Sequence, residues 1–203
     1  MSKKIFIIGL IIFIIFLLAK LYMLLLFPIA IMVFSSSSIR TISNRIKIPI
    51  ILKLVILGIL TGILTEILAI IDNWHLPAAE KALFHVDPAI NIVLGLGYYI
   101  PLFAVWYFLF KKYDYKTSEV FFIGGLLGIF AEQVGAVFLS FNIFAWAYAF
   151  LVHGAILAIP FHILKDEFHP SRKSKFIKYL LGILPTIASF IIGGLWITIL
   201  GFA

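Results

Sequence analysis

Two short stretches hold the residues best suited to chemistry. Residues 58–66 read GILTGILTE and residues 124–132 read GGLLGIFAE. In each, glycines at the first and fifth positions precede a glutamate at the ninth: Gly58, Gly62 and Glu66, then Gly124, Gly128 and Glu132. The chain has only five glutamates and 14 glycines, so agreement at these positions is informative where shared Leu and Ile are not. Both glutamates lie inside long apolar runs, where an ionised carboxylate costs roughly 3 kcal/mol or more. A second carboxylate nearby adds to that penalty. At least one of the two is therefore expected to carry its proton and to donate a hydrogen bond as well as accept one. Such a pair suits a proton or cation relay in a carrier, an acid–base couple in an intramembrane enzyme, or neutral polar glue between helices.

Other polar residues join these unequally. His153 sits near the middle of a later apolar run, beside Gly154, within expected reach of a carboxylate. Gln133 flanks Glu132. Glu66, Glu132, His153 and Gln133 form the candidate substrate- or ion-binding set. Gly58, Gly62, Gly124 and Gly128 form the candidate close-packing faces, which should meet other helices and not lipid. Asp72, Asn73, His75, His85, Asp87 and Asn91 gather at the outer mouth, where they could form a vestibule, although for most of them an ordinary interfacial role is the simpler reading. His162, Asp166 and His169 have the spacing of a metal triplet on one helix face. The segment KDEFHPSRK is leaving the membrane there, so a solvated helix end is the better reading and no metal site is assigned.

No catalytic residue is assigned. The Gly-x-Ser-x-Gly and His-Glu-x-x-His nucleophile and zinc motifs are missing, as are Walker and dinucleotide fingerprints, which argues against ATP-driven work in this chain and leaves any cofactor unknown. With no cysteine, disulfides and thiolate chemistry are excluded.

The elements that must position these residues follow from composition. Of 203 residues, 64% are hydrophobic and 12% charged, with a mean hydropathy of +1.18. A soluble fold of this length cannot hide so much apolar surface, so membrane lipids are the solvent. Six apolar runs occur, at 5–34, 54–71, 89–110, 120–139, 141–164 and 179–203. The last five approach or exceed the roughly 20 residues that cross a bilayer as a helix and are too long and continuous for barrel strands. The expected fold is all-α: a single polytopic membrane domain over residues 1–203 with about six transmembrane helices. The first run, interrupted by Lys20 and Pro28, is either one long tilted span or a broken one that crosses twice, and the single span is favoured.

The net charge of +7 does not point to nucleic acid, because its basic residues sit in short loops between apolar runs. Loops 35–53, 111–119 and 165–178 hold 12 of the 16 lysines and arginines, all on one face, which is expected to be the cytoplasmic face of the cell membrane. The loop 72–88 on the other face is expected to hold a two-turn interfacial helix opened by Pro77.

The echo of the first stretch in the second, with a weaker one between Gly95-x5-Pro101 and Gly154-x5-Pro160, suggests two helical hairpins, 54–110 and 120–164, related by duplication. Their first spans run the same way, so the repeat is parallel. The favoured function is a carrier or channel-like protein for an ion or small solute whose identity is unknown, working through the paired glutamates. An intramembrane enzyme acting on a lipid or isoprenoid is the alternative, and a structural or assembly subunit the third. A homo-oligomer is compatible with small-residue faces such as Gly193–Gly194.

Overall fold

The computed structural model describes residues 3–171 and 176–202, excepting the side chains of residues 79, 133 and 134. In chain order the helices are α1 (Lys3–Leu18), α2 (Leu26–Ser35), α3 (Ser37–Arg45), α4 (Ile50–Asp72), α5 (Pro88–Lys112), α6 (Thr117–Ala131), α7 (Ala136–Leu139), α8 (Ile143–Leu164), α9 (Ile177–Leu181) and α10 (Ile183–Ile199). Among the described residues there is no strand. Among the described residues, four stretches are long and apolar enough to cross a membrane: Ile50–Asp72, Pro88–Lys112, Ile143–Glu167 and Ile177–Ile199. The bent pair Met23–Ser35 and Ser37–Arg45 makes a fifth if counted as one span. The chain divides into two compact units, one of Met1–Ile50 with Tyr115–His169 and one of Ile51–Asp114 with Pro170–Ala203.

In the first unit, the opening apolar run takes the broken form. α1 ends in a left-handed residue, Lys20, at φ 57°. The Leu21 N–H reaches the Phe16 carbonyl and the Lys20 N–H reaches that of Leu17, the bonding pattern of a Schellman cap. Glycine usually fills that position, because an L-residue there costs about 1–2 kcal/mol. A lysine brings instead a cation to the negative end of the helix dipole. The chain then folds back, and Gly9 of α1 packs against Pro28, Ile31 and Met32 of α2. A single tilted span was the favoured expectation, and this hairpin replaces it. Hydropathy reports the solvent around a segment and is blind to a single left-handed residue.

α8 is the central helix of this unit. Nearly everything from Gly154 to Leu164 is buried, Pro160 included. Its start is fixed by Asn142, whose side chain accepts the N–H groups of Phe144 and Ala145. α6 is shorter than its apolar run. It stops at Ala131, gives way to a 3-10 turn over Glu132–Gly135, and resumes as the four-residue α7. Gly135 sits at φ 88°, a conformation glycine tolerates and other residues resist. The run 120–139 is thus helical but not one helix.

The second unit is built on α5. Asp87 accepts the N–H groups of Ala89 and Ile90, and Pro88 occupies the first helical position, where it needs no donor. Trp106, Phe103 and Phe110 of α5 are its largest buried side chains. α10 approaches α5 at Gly97, where the Trp196 ring lies in the space a side chain would need. The Trp196 indole N–H donates to the Val93 carbonyl at 3.0 Å. Pro77 opens only a 3-10 turn, Ala78–Glu80, and not two helical turns. Asn73 explains this: its side chain donates to the Ala69 carbonyl and accepts the Ala82 N–H, folding the loop onto the end of α4.

The glycines of α4 separate cleanly from those that face open space. A Cβ added at Gly62 would lie 2.5 Å from a Tyr99 ring carbon, whereas one at Gly194 would meet nothing within 4 Å. Gly62→Ala should therefore destabilise the protein by about 1–3 kcal/mol through overpacking, and Gly194→Ala should stay within about 0.5 kcal/mol. Thermal unfolding of the detergent-solubilised pair measures this, and equal midpoints would contradict the packing.

Candidate functional site

The site in the second unit grows out of one packing register. On α4, Gly58, Gly62 and Glu66 are spaced by four residues, and the column that meets them on α5 is also spaced by four. Gly58 lies under the Phe103 ring, Gly62 under the Tyr99 ring, and Glu66 against Gly95. Each step up one helix matches a step down the other, which is the interlocking of i±4 ridges. Without Cβ atoms on Gly58 and Gly62, α5 comes close enough for its polar side chains to reach Glu66.

Two of them do. Asn91 Nδ2 donates to Glu66 Oε2 at 2.6 Å, and the Tyr99 hydroxyl donates to Oε1 at 2.9 Å. Glu66 is only 6% exposed and Asn91 is fully buried. The chain of bonds continues outward. Asn91 Oδ1 accepts the backbone N–H of His85 at 3.2 Å, and His85 Nδ1 accepts that of Asp87, the residue that caps α5. A buried carboxyl is tolerable when its lone pairs are satisfied, since an unmet one costs far more than a made bond returns. The network ties the α4–α5 pair to the loop that joins it.

The first unit repeats this geometry with different chemistry. Gly124 meets Leu157 and the His153 carbonyl, and Gly128 lies under the His153 ring. Glu132 then follows at the end of α6, and His153 Nε2 stands 2.6 Å from its Oε2. The pair is less enclosed: the side chains of His153 and Glu132 are 19% and 29% exposed. The contact is a hydrogen bond in which the ring Nε2–H donates to the carboxylate or a protonated carboxyl donates to Nε2, according to the tautomer. Imidazole exchanges protons in the neutral range, which amide and phenol do not.

His153, expected beside a carboxylate, is bonded to Glu132. The backbone of Gln133 belongs to the 3-10 turn Glu132–Gly135, and its side chain lies outside the described residues. Gly58, Gly62, Gly124 and Gly128 all sit at close helix contacts. The spaced triplet disperses: His162 Nδ1 bonds the Thr117 hydroxyl at 3.0 Å, while Asp166 pairs with Arg40 at 2.7 Å. Among the described residues there is no group of three or more His, Cys, Asp or Glu suited to a metal.

Two partners of Glu66 were not singled out from sequence. Asn91 had been grouped with the mouth residues, and Tyr99 had gone unremarked. The signal was present in α5 as Asn91, Gly95, Tyr99 and Phe103, a column at four-residue steps that complements the column on α4.

Helix length and composition place this chain among helical membrane proteins. No family model, curated protein or solved structure matches it.

The two carboxyls should respond differently to loss of their donors. Tyr99→Phe keeps the ring over Gly62 but removes a bond from the enclosed Glu66, and should cost about 1–3 kcal/mol. His153→Phe removes a bond from the part-exposed Glu132, whose side chain is 29% exposed, and should cost less than about 1 kcal/mol in bond terms. Chemical unfolding in detergent ranks the two. A larger loss in His153→Phe would contradict the difference in enclosure.

Proposed function

We propose that the protein is a carrier for an ion or small solute that exchanges protons through Glu132 and His153, with Glu66 serving as a fixed clamp. The observation that carries this reading is the 2.6 Å carboxyl–imidazole contact, part-exposed, at the point where α6 breaks. A helix break leaves backbone carbonyls near the carboxyl that a continuous helix would have closed. The break is also a natural hinge, with Gly135 in the left-handed region. Glu66 supports the opposite role: its oxygens accept from two neutral donors in a buried network. That makes one glutamate the working group and the other the glue. The third reading, a structural subunit, draws its support from the Glu66 clamp, which resembles interhelical glue in both burial and bonding.

The two helix pairs are proposed to descend from one duplicated hairpin. Their support is the packing register: Phe103 over Gly58 and Tyr99 over Gly62 correspond to Leu157 and His153 over Gly124 and Gly128, at one 54-residue offset. Asp87 and Asn142 cap the second helix of each pair at nearly the same offset. On this register the Gly-x5-Pro echo falls five residues out of step. Gly154 has a local use, giving room to the Phe121 carbonyl. We read α6, its 3-10 turn and α7 together as one broken crossing, and α1 with α2 as a hairpin entering from the basic side. Basic loops 35–53, 111–119 and 165–178 then face the cytoplasm of a cell membrane.

The test uses protein reconstituted on a solid-supported membrane. A pH jump should displace charge in the wild type and in Glu66→Gln, and the transient should fall at least ten-fold in Glu132→Gln and in His153→Ala. A transient that survives in Glu132→Gln, or that requires Glu66, overturns the assignment. With the transient established, inorganic cations and small organic acids and amines are added in turn to find the solute that turns it into a sustained current.

A further inference from the structure

α3 wears its amphipathicity inside out. Its polar side is engaged within the first unit, where the Arg40 guanidinium donates to Asp166 at 2.7 Å and the Ser43 hydroxyl donates to Glu167 at 3.4 Å. Its apolar side is bare. Ile42 is 61% exposed and Ile46 50% exposed, and Ile48 just beyond is exposed as well. Arg45 and Lys47 are exposed between these isoleucines. No ion pair of either is present among the described residues. α3 also leaves the direction of the membrane segment before it, bending 75° from Met23–Ser35 at Ser36.

Neither bulk solvent suits such a surface. Water leaves three isoleucines exposed, and the hydrocarbon core would strip two cations of their hydration. The interface between them satisfies both, with the isoleucines in the acyl boundary and the basic side chains among the headgroups. Arg40 is already balanced by Asp166, so the charge left facing outward is positive and its complement is an anionic lipid. We infer that α3 and the residues through Ile48 form an in-plane anchor that seats on anionic phospholipid headgroups. This anchor is independent of the chemistry at Glu132. The bend at Ser36 sets its angle, and the Arg40–Asp166 pair ties it to the end of α8.

Because the chain contains no cysteine, single-cysteine variants report one position each. Ile42→Cys, Ile46→Cys and Asn44→Cys in the full-length protein are labelled with an environment-sensitive fluorophore. They are then reconstituted in phosphatidylcholine vesicles with or without phosphatidylglycerol. Labels at 42 and 46 should be blue-shifted and quenched by a spin label placed shallow in the lipid, and the label at 44 should not. Phosphatidylglycerol should strengthen the quenching and salt should weaken it. The equilibrium constant for the seated state should fall about five-fold for each charge removed in Arg45→Gln and Lys47→Gln. Labels at 42 and 46 as wet as the one at 44 would overturn the anchor. So would quenching indifferent to phosphatidylglycerol and to both glutamine variants. Disulfide crosslinking of Ile42→Cys between copies, lost on dilution with lipid, would assign the face to a second copy and overturn it too.

Discussion

Close approach of helix backbones at glycine is the constraint on which the rest of this structure depends. In a bilayer, apolar faces gain little by leaving lipid for one another, so helices associate through tight packing and a few polar bonds. Gly58, Gly62, Gly124 and Gly128 each have a neighbouring side chain or backbone atom in the space a Cβ would take. That closeness is what lets the next polar residue, four positions along, reach across. Glu66 and Glu132 are therefore not polar groups added to a finished bundle. They are the final rungs of the ladders that pack it, placed where the neighbouring helix is near enough to answer a carboxyl.

What answers differs between the two: an amide and a hydroxyl at Glu66, an imidazole at Glu132. The Asn91 amide and the Tyr99 hydroxyl donate to Glu66, and Asn91 and His85 join that contact to the cap of α5. His153 takes the corresponding contact in the other ladder, over Gly128 and bonded to Glu132. α4 continues unbroken past Glu66 to Asp72, whereas α6 stops at Ala131 and the chain turns through Glu132–Gly135. One ladder ends in closure and the other in a break with a part-exposed acid–base pair.

Much of this was legible in the sequence, for identifiable reasons. α4, α5 and α8 follow from the length of their apolar runs, and α5 begins within a residue of its expected start because Asp87–Pro88 is a strong start signal. Glycine spacing pointed to the close contacts now seen at Gly58, Gly62, Gly124 and Gly128, and His153 was placed near a carboxylate by its position in the middle of an apolar run beside Gly154. The reversal at Lys20 was not legible, because the residue that adopts the left-handed turn is not the glycine such a turn usually selects. The end of α6 was hidden for a related reason: residues 132–139 stay apolar enough to continue a span, and the break is written in backbone angles at Glu132 and Gly135. Asn91 was hidden by its place in sequence, one turn inside α5 yet beside a run of loop residues. Only the register with α4 shows that it points at Glu66.

The column Asn91, Gly95, Tyr99, Phe103 also limits how either ladder can change. Gly95 must stay small, because a Cβ there would lie 3.1 Å from the Glu66 carboxyl. On the shared offset its counterpart in α8 is Ala149, also small and fully buried. The position of Asn91 corresponds to Ala145, which has no side-chain donor to offer. On the proposed duplication, Glu132 keeps an imidazole partner but has no counterpart of Asn91, and its side chain is 29% exposed. By that register the residues at the two bonding positions differ, Tyr99 against His153 and Asn91 against Ala145, above a glycine ladder common to both.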